Sequence, residues 1–311
     1  MPSKIEWTNE TWNPIVGCSK VSSGCDNCYA ERMARRLAHM GKEGYGYVTH
    51  KKGGWNGKIY RKFYNDVINK PLHWKKPRMV FVSSMGDLFH ENVPFEWIDK
   101  VVEVAEVTPW HTYQFLTKRV DRMLEYFKWR WNNADQHTLD CTKAKQWKKE
   151  HDIDDVSMYI SNLWLGVTCE NQEQVDKRIP KLLEIPAAKR FVSLEPCLEK
   201  VEIERWLHHD GCPYLFDDES DYEYLSDAGE CCCDLEDDYR YPRVNWVIVG
   251  GETGPKARPM KMECAEKIVA DCKEADVPCF VKKLPIDGKV TGDMTLWPES
   301  LRVRQYPKGG E

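Results

Sequence analysis

Three cysteines fall within eleven residues near the N-terminus, at Cys18, Cys25 and Cys28. The gaps of six and two residues put three soft donors on one glycine-bearing loop, and an arginine-rich segment with Arg32, Arg35 and Arg36 follows. Three thiolates can ligate three irons of a four-iron, four-sulfur cluster and leave the fourth iron open to a small ligand. A tetrahedral zinc site normally recruits a fourth Cys or His, and the nearest His in sequence is His39. The spacing therefore leaves three readings: a cluster, zinc with a distant fourth ligand, or three thiols without metal.

The remaining cysteines are read separately. The chain has 13 in 311 residues, an odd number, and its N-terminus lacks the apolar core of a secretory signal. A cytoplasmic protein with reduced thiols is expected. Cys264, Cys272 and Cys279 are read as small hydrophobic side chains. Cys212, Cys231, Cys232 and Cys233, with His208 and His209, form a second group. It could hold another metal, but three consecutive cysteines share one ion poorly, and an acidic loop with incidental thiols is the preferred reading. Cys169 and Cys197 follow predicted strands, where a thiol could return hydrogen to a product radical.

The elements that must position these groups alternate. Apolar runs at 78–84, 113–117, 163–168, 190–194, 245–249 and 278–282 predict strands, and helical periodicity at 94–107, 120–129, 172–183 and 262–275 predicts helices between them. Continuous rather than alternating apolar strands fit a parallel sheet buried on both faces. The fold expected is α/β, a full or partial (β/α) barrel forming one domain over 1–311. Two insertions interrupt it, near 130–160 and 208–242. The second contains a stretch, 217–238, with eleven acids and no Lys or Arg, so the rest of the chain is mildly basic although the net charge is −5. That permits a phosphate-bearing partner without requiring one. No run of about 18 apolar residues exists, so no membrane span is expected.

Polar residues follow almost every strand: Ser83, Ser84 and Asp87; Thr117 and Lys118; Cys169, Glu170 and Asn171; Glu195; Glu252; Lys282 and Lys283. In a barrel the C-terminal strand ends form the active-site mouth. Asp87 reads equally as a ligand contact or a helix cap. Lys118, Arg119, Arg258, Lys282 and Lys283 read equally as holders of a phosphate-bearing substrate or as surface charge.

The chain resembles radical S-adenosylmethionine proteins, and more closely a radical-SAM-like family of bacteriophages and prophages with distant similarity to spore photoproduct lyase. The resemblance rests on Trp12-Asn13-Pro14 with Gly17-Cys18, on Gly24-Cys25-Asp26-Asn27-Cys28-Tyr29-Ala30-Glu31, and on Ser84 to Glu91. It continues through Leu116 to Arg119, Trp164 to Val167, Ser193 to Pro196, Gly250 to Pro255 and Ala257 to Met260. These segments cover nearly the whole chain apart from the insertions. The first cysteine gap departs from the familiar spacing of three. The resemblance implies that Cys18, Cys25 and Cys28 hold a 4Fe-4S cluster whose open iron binds S-adenosylmethionine. Reductive cleavage then yields a 5′-deoxyadenosyl radical that takes hydrogen from a substrate, with the electron coming from an external donor. It places Ser84 and Asp87 at the methionine moiety, Glu170 and Asn171 at the ribose, and Glu195, Glu252 and Cys169 in catalysis. The substrate expected is a small molecule, a nucleotide or a DNA base, in the host cytoplasm if phage-encoded. A DNA-lesion lyase is one alternative. A zinc-stabilised, non-catalytic nucleic-acid-binding phage protein is another, with Trp7, Trp12, Trp55 and Trp74 among basic residues as its stacking surface.

Overall fold

The apolar runs form strands joined by amphipathic helices in a computed structural model that describes residues 5–62, 67–133, 160–208 and 242–308. The class is mixed α/β, with strands that are mostly parallel. The chain divides into two compact units, Met1–Val167 with Thr253–Lys256, and Thr168–Glu252 with Ala257–Glu311.

In the first unit, strand β1 (Glu10–Trp12) pairs with β4 (Met79–Val82), β4 with β5 (Thr112–Thr117), and β5 with β6 (Leu163–Thr168), all parallel. Two short strands, β2 (Ile15–Val16) and β3 (Tyr60–Arg61), pair antiparallel. Helices α1 (Tyr29–His39) and α2 (Tyr45–Val48) follow the cysteine loop, and α3 (Phe95–Glu106) and α4 (Val120–Asn132) follow β4 and β5. Val80, Val82, Phe115 and Leu165 on the strands and Ile98, Val102, Met123 and Phe127 on the helices are all buried. Each such side chain contributes about 1.5–3 kcal/mol by leaving water.

Helix α4 runs three residues beyond the expected Trp129. Arg130, on its buried face, ion-pairs with Asp99 of α3 and reaches Glu106 at 2.7 Å. A charged residue in an apolar pattern looks like an end of burial, but here it has a buried partner. Phe95 packs on Tyr126 and Trp129 in the same seam. Most of the first expected insertion, 134–159, lies outside the described residues.

In the second unit, β7 (Lys189–Leu194), β8 (Trp246–Gly250) and β9 (Cys279–Ile286) are parallel neighbours. Strand β10 (Lys289–Thr291) returns antiparallel on β9. Asp287 and Gly288 both carry positive φ at that hairpin, the backbone a two-residue turn of this hand requires. Helices α5 (Gln172–Leu183) and α6 (Met262–Glu274) bury Val175, Ile179, Leu182, Ala265 and Ile268. The acidic insertion, with Cys212, Cys231, Cys232, Cys233 and His209, lies outside the described residues. Among the described residues no helix is long and apolar enough to cross a membrane.

Candidate functional site

Two glycines bring the cysteine loop onto the end of β4. Gly17, at φ +110°, bridges Gly86 in parallel, and its N–H donates to the Met85 carbonyl at 3.2 Å. A Cβ on Gly17 would meet the Lys58 carbonyl oxygen at 2.3 Å, and one on Gly86 would meet the Gly17 carbonyl at 2.8 Å. A side chain at either position would force the loops apart. Asn13 completes the seam, its Oδ1 accepting from the Met85 N–H at 2.9 Å and the Ser84 hydroxyl at 3.2 Å. The Tyr29 hydroxyl donates to the Ser84 carbonyl at 3.0 Å.

Cys18, Cys25 and Cys28 are free thiols, each partly exposed. Cys25 ends a 3-10 turn, Ser23–Cys25, and Cys28 is the N-cap residue of α1. Burial and then the Asp87 carboxylate push the Cys18 thiol up to about 12, against the lowering effect of Arg119; the neighbouring Cys28 adds to the rise.

Arg119 is the hub of this end of the unit. Its Nη1 donates to Cys18 Sγ at 3.5 Å and to Asp87 Oδ2 at 3.0 Å. Its Nη2 donates to the Ser19 carbonyl and Oγ at 3.1 and 2.8 Å, and its Nε to Glu91 Oε2 at 2.9 Å. His90 is fully buried beside it. The Asn92 N–H donates to His90 Nδ1 at 3.1 Å, so the neutral ring carries its proton on Nε2 and donates to Ser19 Oγ at 2.9 Å. Burial, reinforced by Arg119, lowers the His90 pKa and keeps the ring neutral. The Ser19 hydroxyl in turn donates to Glu91 Oε1 at 3.3 Å.

Asp87 spends both oxygens in this network. The Thr117 hydroxyl donates across them at 2.8 and 2.9 Å, the Phe89 N–H donates to Oδ1 at 3.0 Å, and Arg119 takes Oδ2. It caps no helix: α3 starts at Phe95 behind Pro94, with no side-chain cap. Ser84 is engaged with Asn13. Ser83 differs from both. It has a left-handed backbone, φ +57°, is 3% exposed, and its Oγ is buried with no hydrogen-bond partner. Such a hydroxyl costs about 1–3 kcal/mol unless something bound supplies its partner.

The cysteine loop also holds the segment Thr253–Lys256. Asn27 Nδ2 donates to the Lys256 carbonyl at 3.0 Å, and Arg32 Nη2 to the Thr253 carbonyl at 2.9 Å. Gly254, at φ +103°, lies where a Cβ would sit 2.5 Å from the Arg32 guanidinium. The Thr253–Lys256 stretch is thus pinned to the end of the cysteine motif.

The second unit contains the other expected site residues. Glu195 accepts from Lys282 Nζ at both oxygens, 2.8 and 2.7 Å, and the pair is partly exposed. Glu252 is buried and held by Arg258, whose Nε and Nη2 donate at 3.0 and 2.6 Å while its backbone N–H adds a third bond at 2.8 Å. Glu170, fully buried, accepts from Arg178 at 3.0 Å. Asn171 is the N-cap of α5, its Oδ1 accepting from the Gln174 N–H at 3.0 Å. Cys169 is buried and its thiol donates to the Gln174 carbonyl at 3.4 Å. Cys197 is also buried, beside Cys264. Of the five cations read as substrate holders, Arg119, Arg258 and Lys282 thus hold carboxylates of the protein itself.

The sequence names Asp87 and Thr117 as polar residues after strands, and His90 and Glu91 within a longer motif, but gives Ser19, His90 and Glu91 no role, leaves Thr117 and Asp87 unlinked, and puts Arg119 on the surface or at a substrate. The signal available was weak: His90-Glu91 and Thr117-Lys118-Arg119 follow strands, as Asp87 does.

Among the described residues no three His, Cys, Asp or Glu side chains form a cage for a single ion. A cluster spreads its protein ligands over separate irons, and a sulfur-only set of three on one loop fits it by donor chemistry. The arrangement offers three thiols, a cation beside one of them and one unspent buried hydroxyl.

A family model described as "Protein of unknown function (DUF5131)" matches residues 2–291, and the chain belongs to that family. No curated protein and no solved structure matches the chain.

Proposed function

We propose that this member of the family is a radical S-adenosylmethionine enzyme on an α/β barrel, full or partial, with Cys18, Cys25 and Cys28 as ligands of a 4Fe-4S cluster. The observation that carries the reading is the set of three free, partly exposed thiols on one loop, held by Gly17, Gly86 and Asn13 against the polar end of β4. The cluster and S-adenosylmethionine, when bound, supply one-electron cleavage of the sulfonium and a 5′-deoxyadenosyl radical. The protein's own residues position and shield. Cys28 presents its sulfur at the start of α1, and Arg119 fixes Cys18. Ser83 Oγ, buried and unpartnered, is the hydroxyl of that loop left to bind the methionine moiety, since Asp87 and Ser84 are spent.

The substrate class proposed is a small molecule, a nucleotide or a DNA base, with an external electron donor, in the cytoplasm. Glu195, whose side chain keeps 20% exposure against 5% for Glu252, is the better placed of the two to exchange a proton with solvent. The test is anaerobic reconstitution of wild type and of the Cys18→Ala, Cys25→Ala and Cys28→Ala variants, with iron and sulfide counted per chain. Four irons in wild type and loss in each variant support the reading. Stoichiometric zinc without iron overturns it in favour of a zinc-stabilised binding protein.

A further inference from the structure

We propose that Arg119 is a positioning residue that sets how readily the cysteine site takes on negative charge; the assignment rests on the cluster reading above. Arg119 is 9% exposed, yet it does not merely neutralise one acid. Its guanidinium reaches Cys18 Sγ, Asp87, Glu91 and Ser19 at once, using all three nitrogens. Asp87 is itself locked by Thr117 and the Phe89 N–H. Ser19 Oγ is locked by His90, whose tautomer is set by Asn92. The cation therefore has one available position, with Nη1 toward the sulfur.

An N–H and a guanidinium held beside a cysteine sulfur, even a guanidinium paired with Asp87 and Glu91, offset their carboxylates and stabilise whichever form of the site carries more negative charge. Hydrogen bonds to sulfur are among the determinants of cluster potential. Lysine would keep the charge but lose the fork that engages four groups. The same contacts give Asp87 a reason to be buried close to a cysteine sulfur that is to carry negative charge: it holds Arg119, and Arg119 holds the sulfur.

The experiment is an EPR-monitored redox titration of the iron-loaded full chain for wild type, Arg119→Gln, Arg119→Lys and Ser19→Ala, with iron counted in each. Arg119→Gln is expected to keep its iron and move the midpoint to lower potential, and Arg119→Lys to recover part of the shift. Ser19→Ala changes no charge and removes only a hydroxyl that orients Nη2, so it should give a smaller shift in the same direction. If Arg119→Gln fails to fold, Arg119→Lys and Ser19→Ala still decide. Full iron with an unchanged midpoint overturns the role of Arg119 and leaves the cluster standing. A wild type without iron overturns the cluster reading and this assignment with it.

Discussion

One nitrogen of Arg119, Nη1, donates both to Cys18 Sγ at 3.5 Å and to Asp87 Oδ2 at 3.0 Å. Asp87, expected at a ligand or a helix cap, is thereby a structural anchor for the residue beside the thiol. Asp87→Asn should lower the stability of the iron-free protein by about 3–5 kcal/mol, the range for breaking a buried ion pair from one side. Chemical denaturation of the metal-free chain measures this. A variant as stable as wild type would mean that the carboxylate is held for a ligand rather than for Arg119.

Glu252 and Glu195 look alike in sequence, each an acid just past the end of a strand, but they should behave differently. Glu252 is enclosed by a bidentate Arg258 and a backbone N–H, whereas Glu195 shares a partly exposed pair with Lys282. Glu252→Gln is expected to cost about 2–4 kcal/mol of folding stability. Glu195→Gln should cost less, about 1–2 kcal/mol, because its carboxylate is less buried and has one side-chain partner, Lys282, and no backbone N–H. Denaturation midpoints of the two variants check the order.

How much could be read beforehand follows from which forces act locally. Strand β6 and helix α5 match the apolar run 163–168 and the periodicity of 172–183 residue for residue, because burial on both faces and a 3.6-residue repeat are written in neighbouring positions. The cysteine spacing is likewise a local fact. Arg119, by contrast, meets Cys18 across 101 positions, and a basic residue after a strand reads the same whether it is buried or solvated. The Gly17–Gly86 approach is equally silent, since a missing side chain declares no partner. Asn171 shows the reverse case: the resemblance puts it at a ribose, and its position just ahead of an amphipathic run is also a cap signal, which the structure bears out.

That cap yields a prediction of its own. Asn171→Ala should destabilise the protein by about 1 kcal/mol, through the loss of the bond from the Gln174 N–H. If Asn171 also held a ribose, weaker S-adenosylmethionine binding would accompany the loss; isothermal titration with the cofactor separates the two roles.

Stability should depend on pH through Glu103 in helix α3. Burial, then the adjacent Asp99, push its carboxyl up from 4.5 to about 7, with Glu106 adding to the rise and Lys100 and Arg130 opposing it. The folded chain therefore holds this proton more tightly than the unfolded chain. The stabilisation is complete below about pH 4.5 and is lost as pH rises through about 7. Glu103→Gln should gain about 1 kcal/mol on wild type between pH 5 and pH 8, allowing for screening of a half-buried group. Urea midpoints at the two pH values would show the difference, and parallel profiles would refute it.

The most direct test of the central claim is low-temperature EPR of the anaerobically reconstituted, dithionite-reduced protein, recorded with and without S-adenosylmethionine. The account predicts a reduced-cluster signal that S-adenosylmethionine perturbs, and that is absent from Cys25→Ala. A cluster signal that S-adenosylmethionine leaves unchanged, or a protein that binds zinc and no iron, would contradict it.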